Sequence, residues 1–323
     1  MRARAPASAA NLGPGFDALA LALDRYVEVE VEPASRLTVR SEGEGAGLSD
    51  DAGHLAARVA MDVAGHDRLA ITVRSQIPVA RGLGSSAALA AAAAAAAGAE
   101  DPLAMAARVD GHPENAAASA MGGLVVAGTV RGSVRAVRLA LDPSLVFVLA
   151  VPDRPLPTSR ARQALPAQVS REDAAFNLGR MGLLIAGLAD HRQLTREAAE
   201  DRLHQDYRSP LFPEAQRVMA GLLGGGALAA CWSGAGPSLL GFCLDADAAG
   251  VRAAAVEALA AADVPGRVLV LHADLRGLVK GEGATLPPLG EEPDRSGPST
   301  SVEPGPAAGR GPDGAPFDFD SQG

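Results

Sequence analysis

Alternation of apolar and polar residues predicts most of the strands in this 323-residue chain. In residues 26–32, valines alternate with glutamates, which is typical of a strand whose glutamates form one solvated face. Residues 69–77 alternate in the same way, and residues 37–41 are expected to pair with residues 26–32. The other predicted strands are residues 1–10, 124–130, 134–139, 145–151, 227–232, 239–244 and 267–272.

A run dominated by alanine follows residues 69–77 and predicts a helix that ends near Ala97, because alanine has the highest helix propensity. Pro102 and Pro113 are suited to the first turns of two further helices, and Gly122-Gly123 ends the second of them. Other helical segments are predicted at residues 51–65, 171–223 and 246–262. This irregular alternation of strands and helices indicates an α+β fold rather than a doubly wound sheet.

The alanine-rich helix is preceded by a loop with two glycines and two serines, Pro78-Val79-Ala80-Arg81-Gly82-Leu83-Gly84-Ser85-Ser86-Ala87-Ala88. Gly82 and Gly84 allow positive φ angles and a close approach of the backbone to a ligand. Ser85 and Ser86 are expected to cap the helix, whose first N–H groups point at the ligand. Such amides and the helix dipole bind anions, and a polyphosphate is the usual occupant. The loop alone is equally compatible with a structural turn capped by serine.

Charge and cysteine content restrict the classes of partner. The net charge of −9 argues against a nucleic-acid partner, and residues 285–323 supply −5 of it together with eight of the 23 prolines, so this segment is predicted to be a disordered tail. No apolar run reaches 18 residues, which argues against a membrane span. Cys231 and Cys243 lack metal-site spacing, so they are expected to be buried, reduced thiols of a cytoplasmic protein.

Lysine is nearly absent from the chain. Lys280 is the only lysine among the 29 basic residues, whereas a P-loop enzyme needs a lysine beside its phosphate loop. Phosphates would therefore be bound here by backbone amides and arginine.

Residues 13–18 also spell G-x-G-x-x-A, but the strand, turn and acidic residue that frame a dinucleotide-binding motif are not predicted around them.

Three segments together resemble a family of small-molecule kinases. They are residues 6–17, the loop at residues 78–88, and residues 232–238, which read Trp-Ser-Gly-Ala-Gly-Pro-Ser. In this order they resemble the motifs of the GHMP kinases, named for galactokinase, homoserine kinase, mevalonate kinase and phosphomevalonate kinase. The resemblance implies an N-terminal nucleotide-binding lobe similar to ribosomal protein S5 domain 2 at residues 1–152. It also implies a ferredoxin-like C-terminal lobe at residues 153–284.

Within this family, residues 6–23, 111–115, 158–162 and 204–211 are most similar to homoserine kinases. The resemblance implies transfer of a phosphoryl group from ATP, with Mg²⁺, to the side-chain hydroxyl of L-homoserine, a step in threonine biosynthesis. A family member that phosphorylates a different alcohol is the alternative, and a nucleotide-binding protein without turnover is a third hypothesis. The resemblance leaves open whether the enzyme is a monomer or a homodimer.

The resemblance also implies roles for five residues around a zwitterionic substrate, which needs an acid, arginines and a polar group for the hydroxyl. Asp17 and Asn11 would bind the ammonium group. Arg162 and Arg208 would bind the carboxylate, and Asn115 would orient the hydroxyl. Each has a structural interpretation as well, because an aspartate can cap a helix, an asparagine favours turns, and arginines are commonly solvated surface charges.

Asn115, Glu114 and Arg162 are the expected catalytic residues. Glu114 is the candidate base, although homoserine kinases usually have aspartate at this position. Mg²⁺ would be held by Asp110 and Ser86, both of which could instead be ordinary helix-end residues. A second glycine-rich wall against nucleotide and substrate is expected to contain Ser233, Gly234 and Gly236.

Overall fold

The computed structural model describes residues 1–285, whose strands form two sheets. The strands are β1 (Arg2–Ala10), β2 (Leu19–Pro33), β3 (Thr38–Gly43), β4 (Leu69–Ser75), β5 (Leu124–Val130), β6 (Ser133–Arg138), β7 (Leu145–Pro152), β8 (Ala229–Trp232), β9 (Leu239–Leu244), β10 (Gly266–Leu271) and β11 (Val279–Lys280). Every strand except β11 coincides with a predicted one. With two residues, β11 is too short for alternation to predict it.

The helices also follow the predicted segments, except that the helix at Thr158–Gln163 was not predicted. They are α1 (Leu55–Ala64), α2 (Ser85–Ala97), α3 (Pro102–Asp110), α4 (Pro113–Met121), α5 (Thr158–Gln163), α6 (Arg171–Ala189), α7 (Gln205–Arg208), α8 (Ala215–Gly224) and α9 (Ala248–Ala261). Pro102 and Pro113 stand in first helical turns, as predicted. Across residues 1–285, no helix combines the length and the apolar character that crossing a membrane requires.

The first sheet has the order β11-β1-β2-β4-β3, and the β5–β6 hairpin is attached beside β2. Val27 and Val29 of β2 are buried, as the alternation predicts. The opposite face is not simply solvated, because Glu28 is only 1% exposed and accepts a 2.6 Å hydrogen bond from Arg74. The predicted pairing of residues 37–41 with β2 is wrong, because β4 lies between β2 and β3 and pairs with both.

The second sheet is antiparallel and has the order β10-β7-β9-β8. Helices α6, α7 and α8 lie between β7 and β8 in the chain, and α9 lies between β9 and β10, which gives the βαββαβ pattern of ferredoxin-like folds. The predicted α+β class is therefore confirmed. Residues 145–151, predicted for the N-terminal lobe, form a central strand of this second sheet, because β7 bonds to β9 and β10. Except for Thr285, the predicted tail at residues 285–323 lies outside the described residues.

Helix α2 is buried along most of its length. Its alanines contact α1, α3, α4, β1 and β2, and their small side chains permit this close approach from several directions. Gly84 precedes the helix in the left-handed conformation, with φ +61° and without a side-chain cap. Ser85 and Ser86 form the first helical turn rather than the cap that was predicted. The positive φ of Gly84, which favours glycine, is the reason that no serine occupies the capping position.

The loop between β1 and β2 is fastened by residues from the second half of the chain. His204 is fully buried; its Nε2 donates to the carbonyl oxygen of Gly13 at 2.7 Å, and its Nδ1 accepts from Arg208 at 3.0 Å. Asn177 donates to the carbonyl oxygen of Pro14 at 3.4 Å. Because burial removes the ring from water, the pKa of His204 is lowered to about 4. The ring is therefore neutral at pH 7, as its two hydrogen bonds require.

We expect His204 to reduce stability as the pH falls from about 6.5 towards 4. In this range an unfolded histidine takes up a proton that the buried ring does not, so the free energy of unfolding falls by up to about 1.4 kcal/mol per pH unit. Chemical denaturation at about pH 7 and about pH 5 should show a smaller loss in His204→Gln than in the parent chain. Equal losses in the two proteins would show that the folded state protonates this ring as readily as the unfolded chain does.

Candidate active site

A cavity of about 410 Å³ brings together residues from all three sequence motifs. The predicted site residues in its lining are Asn11, Val79, Ala80, Gly82, Leu83, Gly84, Ser85, Ser86, Asp110, Asn115, Arg162, Arg208 and Gly234. The predicted site residues outside its lining are Asp17, Pro78, Arg81, Ala87, Ala88, Glu114, Ser233 and Gly236. A larger cavity of about 620 Å³, beside α8 and β8, contains none of the predicted residues. Because the motifs converge on the smaller cavity, it is the candidate active site.

The glycine loop, residues 78–88, approaches its neighbours too closely for a side chain at two positions. Gly82 and Gly84 have φ angles of +75° and +61°. A Cβ on Gly82 would lie 2.1 Å from the carbonyl oxygen of Ser233, and one on Gly84 would lie 2.0 Å from Oγ of Ser8. The amide of Ser8 also donates to the carbonyl oxygen of Leu83 at 3.1 Å. These contacts fix the loop between β1 and the segment after β8, and the unpaired N–H groups of the first turn of α2 lie at the cavity.

Arg81 does not reach the cavity. Its guanidinium donates to the carbonyl oxygens of Pro152 and Val79 at 2.8 and 2.9 Å, and to that of Asp153. The arginine of the loop therefore ties it to the end of β7. Arginines that could contact a phosphate have to come from other segments.

The third motif braces the glycine loop from the opposite side. Ser233 Oγ donates to the carbonyl oxygen of Gly82 at 2.7 Å, and the amide of Gly234 donates to the carbonyl oxygen of Ala10 at 2.8 Å. The carbonyl oxygen of Gly234 in turn accepts from Arg208 at 3.1 Å. Gly234 thus lines the cavity as predicted. Ser233 lies outside the lining and supports it through the hydrogen bond to Gly82.

Asp17 and Arg162, which the family resemblance assigns to opposite ends of the substrate, bind each other. The Nη1 and Nη2 atoms of Arg162 donate to the two carboxylate oxygens at 3.2 and 2.6 Å. Both side chains remain 38% exposed. Asn11 accepts from the amide of Asp17 at 2.8 Å, so Asn11 closes the turn that presents this carboxylate. The fork-to-carboxylate geometry is the one that a bound carboxylate ligand would also use.

His112, which was not predicted as a site residue, orients Arg162 from the other side. Its Nε2 accepts from Nε of Arg162 at 2.9 Å, so the ring proton is on Nδ1, which lies 3.3 Å from Oδ2 of Asp110. The hydrogen bond to Asp110 raises the pKa of His112, but the bond from Arg162 requires the neutral ring. His112 therefore links the candidate metal ligand to a candidate substrate-binding arginine.

Arg208 is a buried cation at the wall of the cavity. It is 1% exposed, and its Nε has no hydrogen-bond partner within residues 1–285. Burial, assisted by the positive charge of Arg162, lowers the pKa of Arg208 to about 10, so it stays charged at pH 7. The ring of Phe16 lies 5.5 Å from the guanidinium of Arg208 and 5.8 Å from that of Arg162. The two predicted carboxylate-binding cations therefore share one aromatic ring.

Asn115 lies at the cavity and Glu114 lies beneath it. The Oδ1 atom of Asn115 accepts from Ser8 Oγ at 2.9 Å, and its Nδ2 donates to Oε1 of Glu114 at 3.3 Å. Glu114 is 0% exposed, and desolvation raises its pKa. A base must come within hydrogen-bonding distance of the proton it removes, and this carboxyl group does not reach the cavity. Its position therefore argues against the predicted role as a base.

Asp110 and Ser86, the predicted ligands of Mg²⁺, both line the cavity. Mg²⁺ typically takes one or two carboxylates and completes its shell with phosphate oxygens and water, so one carboxylate and one hydroxyl beside an anion-binding loop fit this ion. Within residues 1–285, a cluster of three possible ligands, Asp142, Asp190 and His191, lies outside the cavity. Its carboxylates are already paired with a histidine and an arginine.

Four residues that hold the site together were not predicted as members of it, namely Ser8, Phe16, His112 and His204. All four lie in segments that carry the family resemblance, and this location is the signal that could have identified them. The partner that each one binds depends on contacts between distant segments.

Comparisons with known proteins agree with the fold and with these motifs. Family profiles match residues 52–123, as "GHMP kinases N terminal domain", and residues 178–261, as "GHMP kinases C terminal". A homoserine kinase of Thermus thermophilus is 42% identical over 279 residues, which cover 82% of this chain and 94% of that protein. A homoserine kinase of Streptomyces coelicolor is 40% identical over 312 residues, which cover 91% and 96%.

A solved structure shows the same fold. The crystal structure of homoserine kinase from Cytophaga hutchinsonii matches with a TM-score of 0.76 at 24% identity, and the match covers 86% of this chain and 96% of that chain. Both sequence relatives cover more than four fifths of the chain. The chain therefore belongs to the GHMP kinase family.

Proposed function

We propose that this chain transfers the γ-phosphoryl group of ATP to the side-chain hydroxyl of L-homoserine, giving O-phospho-L-homoserine for threonine biosynthesis. The supporting observation is that one carboxylate and two arginines, Asp17, Arg162 and Arg208, meet beside the glycine loop. The acid and the arginines suit the ammonium and carboxylate groups of an amino acid, and the loop suits a polyphosphate. The names of the curated relatives support the same substrate.

Substrate binding would exchange the internal ion pair for two pairs with the ligand. Asp17 takes the ammonium group, while Arg162 turns its guanidinium to the carboxylate, which Arg208, beside the same Phe16 ring, also binds. The ligand brings one charge of each sign, so no charge of the Asp17–Arg162 pair is left unpartnered. An alcohol without an ammonium group would leave Asp17 without a partner, and this penalty favours the amino acid.

Phosphoryl transfer depends here on positioning and on stabilisation of charge. The transition state is loose, so early removal of the hydroxyl proton contributes little. Asn115 would orient the hydroxyl oxygen, and the N–H groups of the glycine loop would stabilise the charge that develops on the β,γ-bridging oxygen. When bound, Mg²⁺ supplies charge neutralisation on the phosphates, and Asp110 and Ser86 would hold it.

We also propose a cytoplasmic location, which the buried free thiols of Cys231 and Cys243 support.

A substrate panel tests the proposed function. In a coupled assay of ADP release, L-homoserine should be turned over at least about 100-fold more efficiently than mevalonate or shikimate, because neither of these acids offers an ammonium group to Asp17. More efficient turnover of mevalonate than of L-homoserine would favour a different alcohol as the substrate. ATP binding without turnover of any alcohol would indicate a nucleotide-binding protein.

Replacement of Arg208 tests the carboxylate contact. Arg208→Lys should lower kcat/KM for homoserine about ten- to hundredfold and leave the affinity for ATP unchanged, because lysine keeps the charge but loses the planar fork. The effect should be much smaller on homoserine amide, whose neutral group is already a poor ligand. Arg160→Lys, at an exposed arginine of α5, is the matched control and should have no effect. Equal losses on both substrates would show that Arg208 supports the fold or the nucleotide instead.

A pair of glycine substitutions tests the glycine loop. Gly84→Ala should abolish measurable ATP binding, because its Cβ would lie 2.0 Å from Ser8 Oγ and displace the loop. Gly98→Ala is the control: its φ is +95° and no atom lies within 4 Å of the added Cβ. The control should lose about 1 kcal/mol of stability and keep its affinity for ATP. Unchanged ATP binding in Gly84→Ala would mean that the loop is only a structural turn.

A further inference from the structure

The side-chain amide of Asn115 is held at both ends by residues that do not face the cavity. Ser8 Oγ donates to its oxygen at 2.9 Å, and Oε1 of Glu114 accepts from its nitrogen at 3.3 Å. The oxygen of the amide therefore faces Ser8 and its nitrogen faces Glu114. One hydrogen of Nδ2 is used by Glu114, which leaves the second for another acceptor, and Asn115 lines the cavity.

Glu114 has little other use in the fold. It is 0% exposed, it forms no salt bridge within residues 1–285, and in the same part of the chain its Oε2 has no hydrogen-bond partner. Burying a carboxyl group with an unsatisfied oxygen is unfavourable. Its position in the first turn of α4 favours a carboxylate but leaves this oxygen unpaired, and its side-chain hydrogen bond within residues 1–285 is the one from Asn115.

Ser8 connects this amide to the glycine loop. Its backbone N–H donates to the carbonyl oxygen of Leu83 at 3.1 Å, and its Oγ fills the space where a Cβ of Gly84 would lie. One residue of β1 therefore contacts both the anion-binding loop and the amide of Asn115. Ser8 therefore sets the distance between the glycine loop and the amide of Asn115.

We propose that Glu114 and Ser8 are positioning residues that fix the amide of Asn115 with one N–H directed at the phosphoryl-accepting hydroxyl, a role that rests on the proposed function. Glu114 acts through Asn115 and takes no proton from the substrate.

Two substitutions at Glu114 separate positioning from base catalysis. Glu114→Gln keeps the shape and an accepting oxygen, so kcat should stay within about threefold of the parent value, whereas removal of a general base costs about 10²–10⁴-fold. Glu114→Ala frees the amide, so kcat should fall about tenfold while KM for ATP is unchanged. Ser8→Ala should likewise lower kcat. A hundredfold loss in Glu114→Gln would overturn the positioning role.

A double-mutant cycle tests whether Glu114 acts through Asn115. In an Asn115→Ala background, Glu114→Ala should cause no further loss of kcat, and an additive loss would contradict the coupling. Glu28→Gln is the matched control, since Glu28 is a buried glutamate of β2 and not a site residue. It should change the melting temperature without changing kcat.

A crystal structure of Glu114→Ala tests the positioning without reference to turnover. The Asn115 side chain should leave its present rotamer, and an unmoved side chain would overturn the inference. If the parent enzyme does not phosphorylate homoserine, the proposed function fails, and this structure still decides whether Glu114 positions the amide.

Discussion

The close approach of the glycine loop to two neighbouring segments is the constraint on which the site depends. At Gly82 the backbone meets the carbonyl oxygen of Ser233, and at Gly84 it meets the hydroxyl of Ser8, without room for a Cβ at either point. The loop is therefore positioned by contacts with segments from both halves of the chain. The alanine-rich α2 makes this possible, because its small side chains let β1 and β2 lie close to the helix that the loop precedes.

Two neutral histidines orient the arginines of the site. His112 accepts from Arg162, and His204 accepts from Arg208 while donating to the loop that presents Asp17. A neutral ring can orient a guanidinium without adding a further positive charge to a cavity that already holds two cations. In the proposed function, the Asp17–Arg162 pair would keep the substrate-binding groups in place until a zwitterion replaces it.

Local patterns predicted what depends on local residues. The valines of β2, the alanines of α2 and the prolines that start α3 and α4 identified their elements correctly. The pairing of strands was less predictable. The strand that pairs with β3 and the sheet that contains β7 are both determined by contacts between distant segments. The same limit applies to the site: the motifs identified the cavity, but neither the Asp17–Arg162 pair nor the burial of Glu114 has a signal in the spacing of residues.

A crystal structure of the protein with bound L-homoserine would show whether the internal ion pair is exchanged for contacts with a zwitterionic ligand. We expect that Asp17 binds the ammonium group, that Arg162 and Arg208 bind the carboxylate, and that the direct Asp17–Arg162 contact is broken. An amino acid bound elsewhere, or bound in the cavity with the Asp17–Arg162 pair intact, would contradict it.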